Sequence, residues 1–144
     1  MVSDSGPAVV LVDTNVWSCV SGDKRHPDQE LVQAWKRFLT GKVIVIATQT
    51  RAEILQGLRF LGPRRASILT AALDRTRCMP VTEEVVQAYA TLYYEAMKAG
   101  HPIHNKIHAA DRWIAATAIA LGIPLLTEDH MFWGAPQLTL IPIT

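Results

Sequence analysis

Four carboxylates are the residues of this sequence best suited to chemistry, because each stands where a predicted strand ends or a predicted helix begins. Asp13 closes the apolar run "VVLVD", and Asp129 lies two residues beyond the end of the run "IPLLT". Glu53 is in the first turns of the helix that follows "VIVIAT", and Asp111 opens the apolar helix "DRWIAATAIA". In open parallel sheets, ligands bind at the carboxyl ends of the strands. We therefore expect the four side chains to converge at one edge of one sheet.

A shared divalent cation is what such a group of carboxylates predicts. Like charges held close together raise one another's pKa values and disfavour the ionised forms, and a bound cation relieves that repulsion. Oxygen ligands favour Mg²⁺ or Mn²⁺ over Zn²⁺, which prefers His and Cys. A cation at this site could activate water and neutralise the charge of a phosphodiester during in-line displacement. The predicted reaction is hydrolysis of a nucleic acid or another phosphate ester.

Each carboxylate also has a simpler structural interpretation. Asp13 and Asp111 could cap helices or interact with a helix dipole. Asp129 could be a turn residue within "TEDH", and Glu53 could be a solvated charge. The repetition of a carboxylate at the same end of the predicted sheet, in four distant segments, favours the catalytic interpretation.

Strands alternating with helices are predicted to position these carboxylates. Continuous apolar runs indicate buried strands at residues 8–13, 42–48 and 123–127, and a further strand is predicted at 138–143. Residues 77–81 form a short strand or an extended link in this interpretation. The alternation predicts an α/β three-layer sandwich with a central, mostly parallel sheet of four or five strands and helices on both faces.

Helix boundaries follow from capping residues. Asp28 can cap one helix, and another begins near Thr48 or Thr50. Gly62 and Pro63 mark a corner between two helices, and a long helix runs from Thr82 to about Ala99. No repeat or Gly/Ser linker interrupts the sequence, so residues 1–144 are interpreted as a single domain.

Composition excludes several classes of protein. The 144 residues are 49% hydrophobic and 19% charged with a net charge of +1, so no strongly basic surface is visible in the total. Cys19 and Cys78 form no Cys-x-x-Cys pair and read as reduced thiols. No signal peptide is predicted, and the longest apolar run is broken by Gly122 and Pro124, too short to span a membrane. No G-x-x-x-x-G-K-[ST] loop supports nucleoside triphosphate binding. These features predict a cytoplasmic globular protein.

Three histidines precede Asp111 in the segment "HPIHNKIHAA". The spacing of His101, His104 and His108 raises a zinc site as one interpretation, but Pro102 prevents a regular helix through the set, and no Cys or carboxylate lies close in sequence. A loop at the lip of the acidic site, where Lys106 and a histidine could meet phosphate oxygens, is the favoured interpretation. A solvated loop without a role is the other.

The order and spacing of these motifs resemble the PIN-domain ribonucleases, specifically the VapC-type toxins of bacterial toxin–antitoxin pairs. The matching segments are "LVDTNVW", "TQTRAEILQGL" and "DRWIAATAIALGIPLLTEDHMF", and they extend over nearly the whole chain. The third segment is the most specific, because an Asp, an Ile-Ala-Ala-Thr-Ala helix, a Gly, a strand and Thr-x-Asp follow one another in the family's order.

The resemblance implies roles for individual residues. Asp13, Glu53, Asp111 and Asp129 would form the metal site, with Asp13 and Asp111 as direct ligands. Two polar positions, Asn15 and Thr127, would line it and orient the carboxylates or water. The family also implies a Mg²⁺-dependent endoribonuclease that acts as a homodimer on structured RNA (tRNA or rRNA) and is inhibited by a cognate antitoxin.

One position departs from the family's pattern. Members often carry a further Asp just before the Phe that follows the last motif, and here that position is Met131. The fourth acidic corner is therefore expected to depend on Asp129 alone.

Residues that could meet RNA or a protein partner lie outside the acidic motifs. Basic side chains that could grip an RNA backbone, or be ordinary solvated charges, are Arg59, Arg64, Arg65, Lys24 and Arg25. Of the four tryptophans, Trp133 is the candidate for base stacking, and the others are expected in the core. Apolar residues of the Ile54–Leu61 hairpin could form the antitoxin or dimer groove.

Other functions remain open. A phosphoaspartyl phosphatase would need Asp-x-Asp where this chain has Asn15, and a receiver domain would need paired acids and a late strand-end Lys. A non-catalytic nucleic-acid-binding module of PIN fold would not need all four acidic positions filled. A metal-dependent DNA nuclease of related fold is the nearest catalytic alternative.

Overall fold

Four short parallel strands form the centre of the protein in a computed structural model, which describes residues 6–22 and 24–143. The strands are β1 (Val9–Val12), β2 (Val43–Ala47), β3 (Arg77–Met79) and β4 (Leu125–Leu126). Their order in the sheet is β3-β2-β1-β4, and every pair is parallel. Val and Ile dominate β1 and β2, as expected for strands covered on both faces. The predicted α/β architecture is confirmed.

Six helices surround the sheet. They are α1 (Thr14–Val20), α2 (Gln29–Leu39), α3 (Thr48–Leu58), α4 (Pro63–Asp74), α5 (Glu83–Ala99) and α6 (Ala109–Leu121). Three single turns of 3-10 helix cover Pro102–His104, Lys106–His108 and His130–Phe132. None of the six is long and apolar enough to cross a membrane.

The predicted caps are where the sequence placed them. Asp28 accepts a hydrogen bond from the Leu31 amide at 3.0 Å and begins α2, and Thr82 accepts from the Val85 amide at 3.3 Å and begins α5. Gly100 ends α5 with a φ of 72°, a left-handed conformation that glycine adopts without strain. The short helix α1 was not predicted as an element, because its seven residues are too few for a clear period.

The fifth strand that the sequence allowed, at residues 138–143, does not form. This segment makes a single parallel bridge from Leu140 to Leu125, supported by the Leu125 amide bonding to Thr139 O and the Ile141 amide to Leu125 O. Pro142 has no amide to continue the ladder. The segment therefore lies along the edge of β4 without extending the sheet.

Alternate residues of the strands supply two separate cores, one on each face. Val10, Val12 and Ile46 pack with side chains of α1, α2 and α4, including the fully buried Trp17 and Trp35. The intervening residues Leu11, Val45 and Ala47 pack on the other face against α5 and α6. Helices cover both faces of the sheet, so the fold is the predicted three-layer sandwich.

Helix α6 is the most deeply buried helix, and its packing side chains are small. Ala115 and Ala118 are fully buried and lie in the same core as Leu11 and Leu125 of the neighbouring strands. Small side chains let the helix approach the sheet closely. Asp111 lies in the first turn of this helix, so the same packing fixes its position.

The predicted absence of a signal peptide and the domain limits 1 and 144 fall partly on residues 1–5 and 144, which lie outside the described residues.

Candidate metal centre at the carboxyl edge of the sheet

Asp13 follows the last residue of β1 and serves as the N-cap of α1. Its carboxylate is 7% exposed, and one oxygen accepts a 2.9 Å hydrogen bond from the Val16 amide. The other oxygen accepts a hydrogen bond from the Thr127 hydroxyl. The capping interpretation is therefore confirmed, and capping occupies only one of the two oxygens of Asp13.

Burial raises the pKa of Asp13 from its ordinary 3.8 to about 6. Hydrogen bonds from Thr127 and Val16 lower that pKa, and the negative charges of Asp129 and Glu128 raise it. Two donors therefore do not compensate for removal from water and the presence of like charges. The ionised carboxylate is held in a site where a cation would stabilise it.

Thr127 links the ends of two neighbouring strands. It follows β4, is almost fully buried, and its hydroxyl oxygen also accepts from the Asp129 amide at 3.0 Å. Since Thr127 donates to Asp13, one hydroxyl fixes both the orientation of Asp13 and the path of the chain into Asp129. The sequence placed Thr127 at the lining of the site, and the structure places it against the central carboxylate.

Asp111 projects from the first turn of α6 and is half-buried. Its carboxylate is 3.0 Å from His108 Nδ1. Burial raises the pKa of Asp111, the hydrogen bond and charge of His108 lower it, and the negative charges of Asp129 and Glu53 raise it. Asp129 thus acts on both Asp13 and Asp111, which brings the two leading candidates into one electrostatic environment.

Glu53 lies in the second turn of α3, after β2. Its carboxylate accepts hydrogen bonds from the Thr14 hydroxyl and, at 3.0 Å, from Gln49 Nε2. Thr14 was not among the predicted site residues, although it directly follows Asp13. Its hydroxyl ties the start of α1 to α3 and so holds Glu53 beside the end of β1.

Asp129 caps the 3-10 turn that follows β4, and one of its oxygens accepts from the Met131 amide at 2.9 Å. It lines a cleft of about 540 Å³ together with Asp13, Asn15, Leu31, Glu128 and His130. Met131, at the position where the family often has an Asp, packs instead against the core on the α5 and α6 face. Asp13 and Asp129 thus line one cleft, and the negative charges of Asp129 and Glu53 both act on Asp111.

Glu128 is a fifth acidic residue that sequence reasoning missed. Its carboxylate accepts from Asn15 Nδ2 at 2.6 Å and lies 2.6 Å from His26 Nε2. Asn15 in turn accepts from Lys24 Nζ at 2.8 Å. Asn15 thus orients Glu128 rather than contacting Asp13. The sequence "TED" could have indicated this residue, because Glu128 directly follows Thr127 at the end of the predicted strand.

The histidine segment does not assemble a zinc site. His101 accepts from the Ile103 amide through Nδ1 and is 2.8 Å from Trp133 O through Nε2, and His104 Nδ1 is 2.6 Å from His101 O. Only His108 reaches a carboxylate, Asp111. The three rings have separate partners, and the interpretation as a loop at the lip of the acidic site holds for His108.

Arg112 was also missed, because an Arg after an Asp reads as a surface residue. It is 6% exposed and donates from Nη1 to Ile103 O at 2.7 Å and to Asn105 O at 2.9 Å. Its other terminal nitrogen lies 3.2 Å from the Tyr89 hydroxyl, and the guanidinium stacks on Tyr89 and Tyr93. Arg112 therefore fastens the segment that carries His108 to α5 and α6.

The donor set fits a hard divalent cation. Carboxylate oxygens dominate the edge, and in residues 6–22 and 24–143 no Lys or Arg forms a salt bridge with Asp13, Glu53, Asp111 or Asp129. Within those same residues, no three His, Cys, Asp or Glu side chains are already arranged as a ligand group, because the carboxylates turn to neighbouring hydroxyl and amide donors.

A second cavity, of about 300 Å³, adjoins Glu53 between α1, α3 and α4. Its apolar lining includes Trp17, Ile54, Leu58 and Leu61, and Lys24 and Arg65 lie at its rim. Part of the predicted Ile54–Leu61 hairpin surface is thus an apolar cavity beside one of the acidic residues.

Comparisons with known proteins agree with this geometry. Residues 10–134 match the PIN domain family. The chain is 32% identical over 139 residues to Ribonuclease VapC4 of Mycobacterium tuberculosis, covering 92% of this chain and 95% of that protein. It is 30% identical over 129 residues to Toxin FitB of Neisseria gonorrhoeae, covering 84% and 88%. The crystal structure of FitAcB from Neisseria gonorrhoeae superposes with a TM-score of 0.73 at 28% identity, covering 92% of this chain and 96% of that one.

Proposed function

This chain belongs to the PIN domain family, and from that premise we propose that it is the toxin of a type II toxin–antitoxin pair and a metal-dependent endoribonuclease. The proposed substrate is structured RNA, tRNA or rRNA, and the proposed cofactor is Mg²⁺, with Mn²⁺ as a substitute. Relatives named ribonuclease and toxin, at 32% and 30% identity, support the activity. The described residues from 6 to 143 support a single domain, which we propose acts in the cytoplasm.

One observation carries the proposal. Burial raises the pKa of both Asp13 and Asp111, and the negative charge of Asp129 raises both further, although Asp13 follows a strand and Asp111 begins a helix far along the chain. Asp129 thus repels two carboxylates that come from distant segments, and a bound cation would relieve that repulsion. Phosphodiester hydrolysis is the reaction that a cation in an all-oxygen site assists most directly.

Asp13 and Asp111 would hold the cation, with Glu53 and Asp129 completing the site. When bound, the cation supplies the positive charge that activates water and neutralises the phosphate. Thr127 keeps Asp13 oriented through its hydroxyl, and His108 does the same for Asp111 through Nδ1.

An antitoxin is the proposed protein partner. The apolar cavity beside Glu53 has the size and lining to receive apolar side chains of a partner, and its rim carries Lys24 and Arg65. A segment that filled this cavity would cover Glu53 and block approach to the site. A homodimer is proposed from the family resemblance, and light scattering of the purified protein tests it.

The decisive experiment maps RNA 5′ ends after a brief pulse of expression, with Asp111→Asn as the inactive comparison and Asp74→Asn as the control. Asp74 is an exposed carboxylate at the end of α4, outside the acidic edge. We expect new ends in tRNA or rRNA for the wild type and Asp74→Asn, and none for Asp111→Asn.

Two other outcomes would contradict the proposal. A binding module would leave RNA ends unchanged in all three strains, and a DNA nuclease would produce chromosomal nicks with intact RNA. Cleavage by the purified protein that persists in EDTA would contradict the metal dependence. Co-expression of the cognate antitoxin should restore growth if the partner is correctly proposed.

A further inference from the structure

We propose that Trp133 and His130 form a stacking surface for an RNA base immediately outside the acidic cleft. The inference rests on the proposed ribonuclease function and adds to it the residues that recognise the nucleotide next to the cleaved bond. No metal-site residue other than the neighbouring Asp129 is involved.

Trp133 differs from the other tryptophans in its exposure. Trp17 and Trp35 are 1% and 0% exposed, and Trp113 is stacked on Tyr89 with ring centroids 4.0 Å apart. Trp133 is 49% exposed. A half-exposed indole leaves a large apolar π-face in water, which a stacked base would cover.

The position of Trp133 connects it to the cleft. Its ring centroid lies 4.7 Å from that of His130, with the planes inclined by 36°. His130 lines the same cleft as Asp13 and Asp129. The His130 ring at the cleft wall therefore packs against the indole of Trp133, and a base would stack on the part of the indole that His130 leaves exposed.

The backbone around Trp133 is fixed before any ligand binds. The Trp133 amide donates to His130 O at 3.0 Å, and the adjacent Phe132 is buried in the core. His101 Nδ1 accepts from the Ile103 amide, so Nε2 carries the proton and donates to Trp133 O at 2.8 Å. A surface held from two sides loses little conformational entropy when a base stacks on it.

The charge of the site explains why stacking is needed there. The cleft presents carboxylates, which repel an RNA backbone, and the net charge of the whole chain is only +1. Among the described residues that line this cleft there is no Lys or Arg. Base stacking supplies affinity that does not depend on charge and tolerates different bases, because every base has a π-face.

The test compares two single-stranded RNA probes in an Asp13→Asn background, which prevents cleavage during binding. One probe is a short oligouridylate, and the other is the same strand with abasic nucleotides, so both carry the same phosphates. Trp133→Ala should weaken binding of the first probe about tenfold, and change binding of the abasic probe less than about twofold. Trp133→Phe should retain most of the preference, and Tyr94→Ala, an exposed aromatic on α5, should leave both affinities unchanged.

Cleavage kinetics supply the second readout. With Asp13 intact, Trp133→Ala should raise KM for tRNA with a smaller change in kcat, and Trp133→Phe should restore KM. Equal losses on both probes, or no loss on either, would overturn the stacking surface. If Trp133→Ala fails to fold by circular dichroism, His130→Ala and Trp133→Phe decide the question by the same probe preference. Absence of any RNA cleavage by the wild type would instead refute the proposed function, so the two failures are distinguishable.

Discussion

Two charged residues are buried to nearly the same extent, Asp13 at the end of β1 and Arg112 in the first turn of α6. The surroundings of Arg112 stabilise its charge, whereas the neighbouring charges of Asp13 destabilise its ionised form. Asp13 and Arg112 are 7% and 6% exposed. Arg112 is surrounded by two carbonyl oxygens, a phenol and two aromatic faces, all of which stabilise a cation. Asp13 receives two hydrogen bonds and faces the charges of Asp129 and Glu128, which destabilise an anion.

The difference separates a structural charge from a functional one. Arg112 is compensated within the described chain except at Nε, which has no partner there. Its contacts hold the turns that carry His108. Asp13 is left under-compensated, and such a site binds a cation more strongly than a carboxylate already paired with Lys or Arg would. We propose that the charge of Arg112 stabilises the fold and that the charge of Asp13 is stabilised by a bound cation.

The largest expected effect is the loss of RNA cleavage when Asp13 is replaced. Asp13→Asn keeps the shape and the capping ability of the side chain but removes the charge that would bind the cation. We expect RNA cleavage to fall roughly 10³-fold, about 4 kcal/mol in transition-state stabilisation. Single-turnover cleavage of tRNA in saturating Mg²⁺ measures it, with Asp74→Asn as the control. Retention of near wild-type activity would show that Asp13 is as structural as Arg112.

The next effect is on the stability contributed by Arg112. Arg112→Met preserves much of the side-chain volume and leaves the carbonyls of Ile103 and Asn105 without their donor. We expect the free energy of unfolding to fall by about 3 kcal/mol, because buried acceptors lose their hydrogen bonds. Urea denaturation measures this change.

Arg75→Met, at an exposed position after α4, serves as the matched control and should change stability by less than about 0.5 kcal/mol. Equal changes in the free energy of unfolding for the two variants would show that the buried guanidinium of Arg112 contributes no more than an exposed one. The contrast drawn with Asp13 would then be wrong.

The smallest expected effect is a pH-dependent change in the free energy of unfolding that comes from Asp13. Asp13 binds its proton more tightly in the folded protein, with a pKa of about 6, than in the unfolded chain, near 3.8. The contribution of Asp13 to stability is therefore complete below about pH 3.8 and is lost as the pH rises through about 6. At about pH 7.5 without divalent cations, Asp13→Asn should be more stable than the wild type by about 1–2 kcal/mol. Urea denaturation across this pH range tests the sign.

Saturating Mg²⁺ should reverse that difference, because a cation that binds the folded wild type raises its melting temperature and the variant lacks the ligand. A variant that is less stable than the wild type at neutral pH, with or without Mg²⁺, would mean that Asp13 is already compensated.

Much of the fold could be predicted because its signals are local. The runs that became β1 and β2 are continuous and apolar, and the caps Asp28, Thr82 and Gly100 have side chains or backbone freedom that mark helix ends. The segment 138–143 was predicted as a strand because it is also an apolar run. Whether it pairs depends on backbone hydrogen bonds to β4, which composition alone does not reveal. Helix α1 is too short to show a period.

The sequence predicted the acids together with Asn15 and Thr127, but it did not reveal partners such as Thr14 and Glu128. Carboxylates at strand ends can be located from topology, since parallel strands bring their carboxyl ends together. The contact of Thr14 with Glu53 and the chain from Lys24 through Asn15 to Glu128 join segments up to 113 residues apart. Side-chain direction in such pairs is set by packing, which sequence spacing does not encode. Arg112 was missed for the same reason: its partners are backbone carbonyls.

The alanines of α6 have a consequence for how the acidic edge is built. Asp111 lies in the first turn of α6, so its position depends on how closely Ala115 and Ala118 let that helix pack against the strands. Each added methyl group between the helix and the strands would lift the carboxylate outward together with the whole helix. The two alanines thus help to determine the position of one carboxylate of the proposed metal site.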